Sequence, residues 1–138
     1  MATIGPRLCE RLGTVLPSEV AFQFAGLAGG RPRFADVAFV GKGRYPGGEV
    51  PDGWTDFAPD FVVEVVSPHD NATSLDQKIQ DWLACGVRLV WIVYPASKHV
   101  AVRRADGTSA DVPMCGVLSG EDVIPGFELA VSDIFVVI

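Results

Sequence analysis

Residues 59 to 67 read Pro-Asp-Phe-Val-Val-Glu-Val-Val-Ser, so six of nine positions are apolar or proline. A short apolar run bounded by turn residues predicts a strand buried on both faces. Residues 87 to 94 repeat the pattern and stop at Pro95. Between the two runs, Leu75, Ile79, Trp82 and Leu83 recur at helical spacing. Ser74 with Gln77 has the spacing of a capping box, which predicts a helix from Leu75 to Ala84 or Cys85, with Gly86 as its stop. Strand, helix and strand in this order predict a right-handed crossover and a parallel pair.

The flanking segments are shorter and less regular. Ile4, Leu8 and Leu12 share one face of a helix over residues 3–12, ended by Gly13. Residues 19–24 and 33–40 alternate around a turn rich in glycine, predicting an antiparallel pair. Residues 41–59 form a long loop rich in glycine and proline, a length that is often functional or mobile. Residues 98–104 and 108–114 flank Ala105-Asp106-Gly107, a hairpin signal, and residues 132–135 form a last short turn. The expected fold is α/β of mixed α+β character. It has one helical layer on a mixed central sheet, with a crossover helix and a C-terminal hairpin extension, in a single domain over residues 1–138.

Composition narrows this only slightly. The 138 residues, 49% hydrophobic and 20% charged, suit a water-soluble globular domain. A net charge of -6 speaks against strong non-specific nucleic-acid binding, which needs clustered Lys and Arg, but leaves room for a site where metal ions supply the positive charge. Cys9, Cys85 and Cys115 are odd in number and show no metal-ligand spacing. Reduced thiols in the cytoplasm are the expectation, and no apolar run suits a signal peptide or a membrane span.

The buried carboxylate carries the chemistry. An ionised Glu64 inside an apolar strand is costly unless a cation, a donor cluster or a retained proton compensates it. Asp60 lies four residues earlier on the same face, and Asp36 lies within the other strand expected to be buried, flanked by Phe34, Ala38 and Val40. If those strands are neighbours, Asp36 and Glu64 converge on one cation, and oxygen ligands suit Mg²⁺ or Mn²⁺. Lys78 borders the apolar stripe of the crossover helix, where its ammonium can reach back to the carboxylates. There it could orient a water or stabilise charge on a phosphate. Each residue alone has a plainer reading. A buried carboxylate often pairs with an arginine, here Arg33 or Arg88; Lys78 could simply snorkel; Asp60 could cap the strand entry; Trp82 and Trp91 are most simply core. The joint placement of acid, acid and lysine on strand, strand and helix favours a metal site.

Residues 34–40, 58–68, Lys78, 82–87 and 90–95, with Val123-Ile124-Pro125-Gly126-Phe127 near the end, resemble the Uma2 family. These are restriction-endonuclease-like proteins, also called DUF820, bacterial and abundant in cyanobacteria. The resemblance covers residues 33–138 and implies a PD-(D/E)xK nuclease fold with Mg²⁺-dependent hydrolysis of phosphodiesters in nucleic acid, DNA first. It puts Asp36 at the first acidic position and Glu64 at the second. Val66 stands where many such nucleases have lysine, and the family places that lysine on the following helix, at Lys78. Asp60 would assist as a metal ligand. Ala35 replaces a usual proline, and Tyr94 replaces a usual aspartate. The family normally has a longer N-terminal section, so an open sheet edge and a homodimer are expected. The alternative is a catalytically inactive nuclease-fold module that binds without cutting.

Overall fold

The structure, a computed structural model, describes residues 6–27 and 30–137. In chain order the elements are α1 (Pro6–Leu12), β1 (Gly13–Leu16), β2 (Ala21–Phe22), β3 (Arg33–Phe34), β4 (Val37–Gly41) and a 3₁₀ turn (Pro46–Gly48). Then follow β5 (Phe61–Val65), α2 (Ala72–Ala84), β6 (Leu89–Tyr94), β7 (His99–Arg104), β8 (Ser109–Val112), β9 (Val117–Ser119), β10 (Glu128–Ala130) and α3 (Val131–Val137). Residues 3–5 of the expected first helix lie outside the described residues.

Six strands make one sheet in the order β1-β4-β5-β6-β7-β8. Its one parallel pair is β5 with β6, linked by α2 as the crossover; the other pairings are antiparallel. The fold is therefore the mixed α/β sheet with crossover helix that the sequence pattern predicts. Alternation along β5 sends Val62 and Glu64 toward α2 and Phe61, Val63 and Val65 to the opposite face. Under α2, Val62, Val90 and Ile92 pack with Ile79, Trp82 and Phe22. On the other face Phe61, Trp91 and Val93 pack with Cys9 of α1, Leu118 of β9 and Val131 of α3. Both faces are covered, so the single helical layer expected from the sequence is corrected to cover on two sides.

Three local expectations also change. Gly13 reads as a helix stop, but it instead lets the chain turn directly into β1 beside β4, where a Cβ would run into the Val40 carbonyl oxygen. The strand expected over residues 33–40 breaks at Ala35–Asp36, leaving β3 paired with the two-residue β2 and β4 in the main sheet. α2 starts at Ala72 rather than Leu75, because the Asn71 side chain caps it, accepting from Thr73 N at 2.8 Å and Ser74 N at 3.3 Å. The long loop is pinned midway by backbone bonds of Thr55 to Ala21 and Gln23 and by the Tyr45 hydroxyl on Thr55 Oγ1 at 2.7 Å. Among the described residues no helix is long and apolar enough to cross a membrane.

Candidate active site

β5 presents Glu64 to the underside of α2, where only 3% of the residue is exposed. Lys78 and Trp82 stand one helical turn apart on the α2 face above it, since residues four apart share a face. The Trp82 indole N–H donates to Glu64 Oε2 at 2.8 Å, and Lys78 Nζ lies 3.3 Å from Oε1 and 3.2 Å from Oε2. Burial pushes the Glu64 carboxyl above the ordinary glutamate value. The Lys78 ammonium and the Trp82 indole pull it back, and the charge of Asp36 adds to the rise. The compensation that a buried carboxylate demands is thus supplied by one cation and one neutral donor.

Asp36 does not sit inside a buried strand, as the alternation suggested. It occupies the exposed bend between β3 and β4. Because Val37 pairs with Val63, that bend runs alongside the end of β5, and Asp36 Oδ2 accepts from Val65 N at 2.6 Å. The carboxylate that ties down this backbone is close enough to Glu64 for its charge to disfavour ionisation there, the smallest of the influences on that carboxyl. Asp36, Glu64 and Lys78 are therefore brought to one end of β5.

Asp60 is not part of that group. Four residues of strand put it about 13 Å from Glu64, at the opposite end of β5. There its Oδ2 accepts from Gly41 N at 2.7 Å and from Arg44 Nη1 at 2.9 Å. Its expected role as an assisting metal ligand is corrected: sharing a face is not sharing a position, and Asp60 fastens β4 to the entry of β5. The arginines weighed as partners for Glu64 also go elsewhere, Arg33 to Asp81 and Arg88 to Asp122.

Among the described residues no group of three or more His, Cys, Asp or Glu side chains could hold a metal ion. What the site offers is two carboxylates, one buried and one exposed. That donor set fits Mg²⁺ or Mn²⁺ in the way hard ions are often held, by one or two carboxylates with water and substrate phosphate completing the shell. It does not fit a closed protein cage. Trp82 was missed as a site residue, although a buried indole N–H needs an acceptor and lies four residues from Lys78. Surface cavities of about 510 and 480 Å³ are lined by residues 10–14, 41–43, 45 and 48, and by residues 45–46, 49–52 and 54–57, and neither lining includes Asp36, Glu64 or Lys78.

The fold is a mixed sheet with one parallel crossover pair, and Glu64 and Lys78 meet at one end of that crossover. The chain belongs to the Uma2 family, described as "Putative restriction endonuclease", whose family model matches residues 2–132. Among solved structures it is similar to "a putative nuclease belonging to DUF820" from Anabaena variabilis ATCC 29413, with a TM-score of 0.76 and 19% identity. That match covers 92% of this chain and 70% of the other. No curated protein matches the chain.

Proposed function

We propose that the protein is a divalent-metal-dependent endonuclease that hydrolyses phosphodiester bonds in nucleic acid, with DNA as the substrate. The observation that carries this reading is the Lys78 ammonium set within 3.3 Å of both oxygens of a buried strand glutamate. Asp36 and Glu64 would hold the cation, Mg²⁺ or Mn²⁺, and the chemistry it would supply there is Lewis-acid polarisation of a phosphate oxygen. Glu64 accepts from Trp82 and is thereby fixed in orientation. Lys78 is half-buried, so its ammonium can turn from the carboxylate toward an attacking water or a non-bridging phosphate oxygen. Water forms the new P–O bond and gives up a proton to the solvent as it does so, and the leaving oxygen takes one up as the old P–O bond breaks, so the step is balanced in protons.

A second reading has its own support. Both Glu64 oxygens already have donors, which is how a structural ion pair in an inactive nuclease-fold module would look. Calorimetric titration with Mn²⁺ separates the two. Under the nuclease reading the wild type gives a binding heat that Glu64→Gln abolishes, and Mg²⁺ supports nicking of a supercoiled plasmid. Indistinguishable heats from the two proteins would overturn the metal site.

The expected homodimer also belongs here. β1 is an edge strand, and its Val15 is 46% exposed on the side away from α2. Light scattering across a dilution series tests that pairing.

A further inference from the structure

The turn joining β6 to β7 leaves the sheet at the same end as Glu64. The register fixes what stands there. Glu64 lies beside Ile92, and Ile92 beside Ala101. One row further along comes Val66, whose N–H donates to Val93 O at 2.9 Å, then Tyr94 paired with His99. Tyr94 packs with the cluster under α2, so the pair stands on the Glu64 face of the sheet. Strand rise and spacing put the Tyr94 and Glu64 backbones about 8 Å apart.

The side chains of this row are held in an unusual way. The Tyr94 and His99 rings stack with centroids 4.7 Å apart and planes 7° from parallel. The Ser97 hydroxyl lies 2.6 Å from His99 Nδ1. In the tautomer where that hydroxyl donates, the neutral imidazole carries its proton on Nε2, which has no acceptor among the described residues. Lys98 takes a left-handed backbone, φ 54°, a conformation rare for a residue with a side chain and enriched at working sites. It is exposed and makes no ion pair among the described residues. A cross-strand aromatic pair alone would stabilise the hairpin without the Ser97 anchor or the strained lysine.

We propose that Tyr94, Lys98 and His99 grip the sugar–phosphate backbone of a single nucleic-acid strand beside the Glu64–Lys78 centre. His99 Nε2–H donates to a phosphate oxygen, Tyr94 backs the ring, and Lys98 supplies positive charge on a chain whose net charge of -6 otherwise repels phosphate. This rests on the nuclease reading of Glu64 and adds the element that holds the substrate. His99 and Lys98 touch the strand in this scheme, and Tyr94, which acts through the His99 ring, is a positioning residue.

The test is anisotropy of a labelled 12-nucleotide single strand, with Ca²⁺ in place of Mg²⁺. His99→Ala and Tyr94→Leu are expected to weaken binding about tenfold, the worth of one hydrogen bond to a charged group. Tyr94→Phe keeps the stack and should bind as the wild type does. Lys98→Gly relieves the left-handed backbone, yet should make the slope of log K against log salt shallower by about 0.7. Strands carrying one uncharged methylphosphonate linkage, scanned along the sequence, supply a readout that a folding defect would not move. One linkage should weaken the wild type about tenfold and leave His99→Ala indifferent.

If the wild type binds the strand and the His99 and Lys98 variants match it, the grip is overturned while the Mn²⁺ heat still stands or falls on Glu64. A wild type that binds no strand overturns it as well. Loss that depends on His99 without any Mn²⁺ heat upholds the strand contact and removes the nuclease reading.

Discussion

The two ends of β5 each carry a carboxylate, and their surroundings could hardly differ more. Asp60 accepts a backbone N–H and an arginine at a side chain 16% exposed, whereas Glu64 is buried at 4% side-chain exposure and depends on Lys78 and Trp82. At Asp60 the partners are the neighbouring strand and an arginine that also lies over the Phe57 ring at 4.4 Å. That end is fastened to the fold. At Glu64 the cation sits on a flexible stem, and under the nuclease reading the same attraction would be exchanged for a metal or a phosphate. A carboxylate is a clamp or a centre according to what compensates it.

Removing the cation at the Glu64 end should have the largest effect. Lys78→Met keeps the stem and deletes the charge, leaving the carboxylate buried with only the indole. Plasmid cleavage is expected to fall on the order of a hundredfold or more, the scale of losing one charge-stabilising group. Because the lysine side chain is 27% exposed, the stability loss in urea should stay near 2 kcal/mol, below the usual cost of breaking a fully buried pair. Unchanged cleavage would make the Glu64 end a clamp too.

Asp36→Asn comes next. The amide oxygen can still accept from Val65 N, so the fold should hold, while the second charge near Glu64 disappears. Mn²⁺ affinity should drop about tenfold by calorimetry, about 1.4 kcal/mol. Equal affinity would leave Glu64 without a partner at the cation.

How far these roles were readable follows from the residues themselves. Glu64 stood out because ionised groups do not belong in an apolar run, and helical spacing brought Lys78 toward it. Asp36 was legible as chemistry but not as environment. Alternation across residues 33–40 cannot reveal a bend, and the bend is what turns its carboxylate onto Val65. Asp60 was misplaced because parity along a strand gives the face and says nothing of the distance. β1 has four residues and begins on a glycine of the kind that ends helices, so no periodicity could mark it. Asn71 and Ser74 are both capping residues, and only the path of the preceding turn chose between them.

The pH response of Glu64 should be smaller than either substitution. Its folded carboxyl titrates above the ordinary value, so the protonated form is the one the fold favours. The stability it contributes is complete below the unfolded glutamate pKa and is lost as pH rises through the higher folded value. Measured without metal, Glu64→Gln should gain on the wild type across that acidic window and hold a constant margin above it. A margin that shrinks with rising pH would mean that Lys78 outweighs burial.

Asp60→Asn should do least, and it tests the clamp end. The amide oxygen can still accept from Gly41 N, so what is lost is the charge facing Arg44, whose side chain is 35% exposed. Partly exposed pairs of this kind contribute up to about 1 kcal/mol, and that is the expected destabilisation in urea. Mn²⁺ binding and cleavage should be unaffected, because about 13 Å of strand separates the two carboxylates. A metal affinity that falls with Asp60 would join the two ends into one site and undo the distinction between them.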